Sequence, residues 1–254
     1  MSIFARLVFA HLIADFPLQT DFIWRIRKKS FWGNFLHGLI FILITPLFCW
    51  DVFEKIWVYV IILGFSHILI DYLKINYFSK NGENRDNIWT FFIDQFLHLL
   101  FIGVFSLIIY FLNIKMPSPS FEVPKFSMNF FYLKEILKYA YYQDKVIYYG
   151  IFYLISTFTG SIILYQVEKT FFKLREEPLL IKTPSAFLER ALITTLVIMH
   201  EPLWIFLVVG VKVMIILVLS QEEKDPKFMR VLSFDIISSA VFAILVGLIL
   251  NFIA

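Results

Sequence analysis

Ionisable residues inside apolar helical runs are the part of this sequence that could do chemistry. Each is costly within a bilayer and normally faces a bundle interior or a water-filled path. His11, Asp15 and Gln19 stand four residues apart, and a step of four advances an α-helix by about 400°, so the three share one stripe. By the same geometry His67, Asp71 and Lys74 fall within an arc of about 60°, and Asp94, Gln95 and His98 within about 100°. Asn34 and His37 occupy one side of a further run. Counted from the helix ends at about 1.5 Å per residue, all these groups lie in the same half of the membrane.

Neutral imidazoles and carboxylates at one depth form the mixed nitrogen and oxygen ligand set that zinc, manganese or iron accepts. His11, Asp15, His37, His67, Asp71, Asp94 and His98 are therefore the expected ligands of one or two divalent ions. A dinuclear centre serves hydrolysis by polarising an acceptor oxygen and generating hydroxide at neutral pH. Asp94, Gln95 and Lys74 are the expected catalytic groups, with Gln19 and Asp21 supporting the ligands or binding substrate. The plainer reading is that these His and Asp side chains hold the helices together by hydrogen bonds without a metal.

The elements that position these residues follow from composition. Of the 254 residues 59% are apolar, 19% aromatic and 17% charged, which excludes an ordinary soluble domain. Eight spans of about 20 residues would use about 160 positions, close to the apolar fraction. The expected fold is an all-α, polytopic integral membrane bundle. Its apolar runs fall near 2–24, 31–50, 55–76, 88–113, 146–167, 186–200, 202–220 and 228–253. The break at His200-Glu201-Pro202 makes eight helices, and one long helix over 187–220 would make seven. Three regions result: 1–113 with the polar cluster, a 114–145 connection, and 146–254. The net charge of +3 and the absence of basic blocks interleaved with exposed aromatics exclude nucleic acid as a main partner. Cys49 is the only cysteine, so no disulfide and no paired-thiolate site can form within the chain.

Lys and Arg number 15 in one set of alternate loops and six in the other, which places both termini outside a cytoplasmic membrane. The long connection, through FYLKEILKYAYYQDK, reads as an outer loop with an interfacial helix. In the C-terminal half Lys212 and Asp235 lie at similar depth and are expected to form a packing ion pair.

HLIADF at 11–16 matches HILIDY at 67–72, and FLHGLIF at 35–41 matches FLHLLFI at 96–102. Two helical hairpins related by an axis along the membrane normal would each supply His-x3-Asp and Phe-Leu-His. The run HLIADFPLQTDF, with FLHGLIF, SHILIDYLK and FFIDQFLHLL, resembles the bacterial membrane protein family called domain of unknown function 3307, over about residues 5–101. Residues 187–220 resemble that family's second half more loosely. The resemblance implies an integral membrane bundle and supplies no activity; a multi-pass place in a bacterial inner membrane is the expected location. The His-x3-Asp helices are also similar to those of proteins labelled membrane-bound metal-dependent hydrolases. Three functions stay open: a metal-dependent hydrolase acting near the cytoplasmic face on a lipid-linked or phosphorylated substrate, a transporter or proton/metal conduit, and an accessory structural protein surrounded by membrane lipids.

Overall fold

A proline and a threonine set the first departure from hydropathy. Pro17 has no amide hydrogen to continue the ladder, and α1 (Ile3–Asp15) ends just before it. The Thr20 hydroxyl then accepts from the Ile23 amide at 3.4 Å and starts α2 (Asp21–Lys29). The expected first span of 2–24 is therefore two helices, and Gln19 stands in the connection instead of on the stripe of His11 and Asp15. Ser30 closes α2, its amide donating to the Ile26 carbonyl at 3.0 Å, and opens α3 (Phe31–Cys49) by accepting from the Gly33 amide at 3.1 Å.

This computed structural model describes residues 3–78, 87–116, 139–172, 184–222 and 226–253. All regular elements among them are helical. The expected interfacial helix of the 114–145 connection falls mostly on 117–138, outside the described residues. After a short 3₁₀ turn at Trp50–Val52 come α4 (Phe53–Phe78) and α5 (Ile88–Phe111). Next is α6 (Asp144–Leu154), followed by a π turn (Ile155–Thr159) and α7 (Gly160–Phe172). The chain ends with α8 (Pro184–Ile198), α9 (Pro202–Glu222) and α10 (Pro226–Ile253). Among the described residues, four helical stretches are long and apolar enough to cross a membrane: Phe31–Tyr77, Ile88–Phe111, Asp144–Phe171 and Met229–Ile253.

Two compact units are distinguished: Met1–Asp86 with Phe92–Ile151, and Asn87–Phe91 with Phe152–Ala254. In the first, α3 and α4 run antiparallel at close range. A Cβ on Gly38 would collide with Ile68, and one on Gly64 with Ile42, so each glycine receives an isoleucine from the other helix. The Asn34 amide donates to the Ile68 carbonyl at 2.8 Å across the same seam. Helix α1 is buried on nearly all sides, its apolar residues lying all round it and its polar Arg6, His11 and Asp15 buried with them. Its Arg6 is fully buried, the guanidinium donating to the carbonyls of Phe48 (2.9 Å) and Tyr141. Helix α5 is inverted relative to a soluble helix: Phe91, Asp94, His98, Ile102 and Ile109 form its buried stripe, while Phe92, Phe96, Leu99 and Leu107 are exposed.

In the second unit α8 and α9 form an antiparallel pair on either side of His200, whose φ of 58° makes the left-handed turn. The break expected at His200-Glu201-Pro202 is present, with Pro202 opening α9. Ile205, Val208 and Val209 of α9 pack against Ile193 and Val197 of α8 and Ala240 and Ala243 of α10. Lys212 forms its ion pair with Glu189 of α8, not with the expected Asp235. The register of the α8–α9 pair brings residue 189 opposite 212, which depth alone could not reveal.

Candidate functional site

Helices α1, α3, α4 and α5 each carry part of one buried polar cluster in the first unit, and all seven residues expected as ligands are in it. His11 and Asp15 come from α1, His37 from α3, His67 and Asp71 from α4, and Asp94 and His98 from α5, each no more than 6% exposed. The inner contacts converge on four atoms. Asp15 Oδ1 lies 3.3 Å from His37 Nε2 and 3.2 Å from His67 Nε2, and those two nitrogens are 3.1 Å apart. Asp71 Oδ2 lies 3.6 Å from His37 Nε2 and 3.4 Å from His67 Nε2. Asp15 Oδ1, His37 Nε2 and His67 Nε2 form a triangle with edges of 3.1–3.3 Å, so an ion about 2.0–2.1 Å from each, the length of zinc–nitrogen and zinc–oxygen bonds, would sit just off its plane, while Asp71 Oδ2 approaches the two imidazoles only.

Several of the inward atoms touch without bonding. Asp15 Oδ1, Asp71 Oδ2, Asp94 Oδ1 and both ring nitrogens of His11 are buried with no hydrogen-bond partner among the described residues. Such crowding of unsatisfied acceptors is costly unless a cation lies among them. The donor set therefore fits a divalent ion. A second convergence, His98 Nε2 with Asp71 Oδ1 at 3.4 Å and Asp94 Oδ1 at 3.6 Å, differs because protein cations already serve it. Arg27 pairs with Asp71 Oδ1, and Lys74 Nζ lies 3.0 Å from Asp94 Oδ2. His11, His67 and His98 also surround a cavity of about 10 Å³, the size of one water, walled outward by Ser66 and Phe101.

The two repeated sequence blocks make equivalent contacts. His37 reaches Asp15 Oδ1 at 3.3 Å, and His98, its counterpart, reaches Asp71 Oδ1 at 3.4 Å. Gln95 is half-buried and directs its amide to Asp15 Oδ2 and Asp94 Oδ2, each at 3.4 Å. Lys74, with a side chain 19% exposed, stands beside it, so these two residues form the accessible edge of the cluster.

Arg27 is the residue that sequence reasoning missed, because it counted only as a loop charge. Helix α2 brings it back over the cluster: a Cβ on Gly33 would collide with the Ile26 carbonyl carbon, so α2 rests directly on α3 there. The signal was present in DFIWRIRKK, where apolar Ile23 and Ile26 alternate with basic residues as in a packed surface helix. Gln19, in the amide orientation that satisfies both its polar atoms, donates to the Asp15 carbonyl at 2.9 Å and accepts from Arg27. The side chain of Asp21 lies outside the described residues.

Residues 3–123 match the family model described as protein of unknown function, DUF3307. The resemblance carried by HLIADFPLQTDF and FFIDQFLHLL is thereby shown, and the matched stretch contains every residue of the cluster. No curated protein and no solved structure matches the chain.

Proposed function

We propose that the DUF3307 region is a membrane-embedded divalent-metal centre that hydrolyses an anionic, lipid-linked or phosphorylated substrate near the cytoplasmic face. The observation that carries this reading is the buried triad of Asp15 Oδ1, His37 Nε2 and His67 Nε2, whose atoms lie 3.1–3.3 Å from one another. The ion is zinc, manganese or iron by its ligands, and one per chain, because Arg27 and Lys74 already neutralise the neighbouring carboxylate sites. A bound divalent ion supplies Lewis acidity and a nucleophile at neutral pH.

The protein groups have separable tasks in this reading. Asp15, His37 and His67 hold the ion. Asp71, with Arg27 on its Oδ1, faces His37 and His67 with its Oδ2 and would supply a further oxygen to an ion that they held. Lys74 and Gln95, at the accessible edge, bind the anionic part of the substrate, and the Asp94–His98 pair relays the proton. The Lys/Arg asymmetry supports a bacterial cytoplasmic membrane with both termini outside, where membrane lipids are the immediate partners.

The test is hydrolysis of phosphate-bearing lipids and soluble phosphoesters by the full chain in nanodiscs, before and after chelation. Metal-dependent release of phosphate or headgroup, lost in Lys74→Met and His67→Ala, is the expected result. Bound metal with no hydrolysis but metal uptake into proteoliposomes would replace the hydrolase with a conduit. Neither metal nor flux would leave the structural reading.

A further inference from the structure

The second unit contains its own buried charges, none of which the DUF3307 match reaches. Glu168 on α7 is fully buried, and both carboxylate oxygens lack a hydrogen-bond partner among the described residues. Asp235 on α10 lies within electrostatic range of it. Arg190 on α8 is also fully buried and within range of Asp235. Its guanidinium is nevertheless held by neutral acceptors: Ser239 Oγ at 3.1 Å, the Thr157 carbonyl at 2.9 Å, and Ser161 Oγ. The π turn at Ile155–Thr159 lies where α6 meets α7, and Thr157 within it supplies that carbonyl. Among the described residues no ion pair joins Arg190 to Glu168 or to Asp235.

The charge inventory is unequal. Glu189 and Lys212 neutralise each other as a pair. Among the buried and half-buried described residues with a charge contact, Glu168 and Asp235 then face Arg190, and neither carboxylate oxygen of the fully buried Glu168 has a hydrogen-bond partner. Removing a carboxylate from water without a partner costs several kcal/mol, so a folded chain that buries Glu168 must neutralise it. One positive charge is required, and a divalent ion would overshoot by one.

We propose that the second unit binds one monovalent cation, a proton or an alkali-metal ion, at Glu168 with Asp235 sharing its charge. Counted from the ends of their helices, Glu168, Arg190 and Asp235 lie about 6, 9 and 13 Å deep, so the site sits in one half of the membrane. Asp235 from α10 is the charged group in range of Glu168, and Lys212 from α9 with Arg190 and Glu189 from α8 are in range of Asp235. Bound cation and fixed Arg190 together balance the two carboxylates, and loss of the cation leaves Glu168 free to draw Arg190 away from the Thr157 carbonyl and Ser161.

Infrared difference spectroscopy on the full chain in nanodiscs, with glutamate carbon-13 labelled, tests this. In buffer free of sodium and potassium, a protonated-carboxyl band that shifts with the glutamate label and disappears in Glu168→Gln identifies the proton. A band replaced on addition of sodium or potassium chloride, with one ion retained per chain in the wild type and none in Glu168→Gln, identifies the alkali metal. Labelling keeps the wild type informative even if Glu168→Gln does not fold. An ionised Glu168 with no sodium or potassium retained would overturn the proposal, as would a band untouched by the label. Glu168→Gln should leave the divalent-metal content of the first unit unchanged, which separates this outcome from failure of the hydrolase reading.

Discussion

His37 and His67 point their Nε2 atoms at each other across the α3–α4 seam at 3.1 Å, with Asp15 Oδ1 3.3 and 3.2 Å away. Two imidazole nitrogens can share one proton at that distance, but Asp15 Oδ1 remains without a hydrogen bond. A cation bound by all three satisfies every atom at once. The glycine–isoleucine pairs Gly38–Ile68 and Gly64–Ile42 fix this meeting point by setting how closely the two helices approach.

Replacing a ligand should remove the ion without unfolding the bundle. His37→Ala and His67→Ala are each expected to lower metal affinity at least about 100-fold, as even outer partners of a metal site typically cost 10–100-fold. His200→Ala, at an exposed turn, should have no effect. Competition with a fluorescent chelator measures both.

Acid should also release the metal. Protons compete with the ion for the imidazoles of His37 and His67 and for the carboxylates of Asp15 and Asp71, so affinity falls as pH is lowered. The same chelator titration across pH checks this, and an affinity that rises toward acid would reverse the sign.

Arg27→Met should destabilise the metal-free protein by up to about 3 kcal/mol, because it leaves the buried Asp71 carboxylate facing only the imidazoles of His37, His67 and His98. Adding divalent metal should recover much of the loss, since the ion then neutralises Asp71. Thermal unfolding with and without metal reads both effects, and equal melting of variant and wild type in chelator would remove Arg27 from the site.

Glycine substitutions should rank by what a Cβ would meet. Gly33→Ala presses on the Ile26 backbone and should cost about 1–3 kcal/mol while displacing Arg27. Gly103→Ala, whose nearest neighbour is Phe4 at 4.0 Å, should be nearly neutral. Gly150→Ala, meeting the ring of Phe9 at 2.7 Å, should fall between them.

Most helix positions were legible because apolar runs end at prolines, charges and caps: 31–50, 88–113 and 202–220 became Phe31–Cys49, Ile88–Phe111 and Pro202–Glu222. The first helix was not, since hydropathy passes through Pro17 and Thr20 unbroken while hydrogen bonding does not. The convergence of His11, His67 and His98 was readable from stripe and depth. Arg27 was hidden because its role depends on α2 folding back over α3, a tertiary contact. The same applies to Lys212: a double-mutant cycle should give stronger coupling with Glu189, its direct ion-pair partner, than with Asp235.

One metal ion held by Asp15, His37 and His67 would be counted by elemental analysis of detergent-purified protein. Close to one zinc, manganese or iron per chain is expected, lost in the His37→Ala, His67→Ala double variant and retained in Glu168→Gln. A folded wild-type protein that holds no divalent metal, even after incubation with each of these ions, would contradict that expectation.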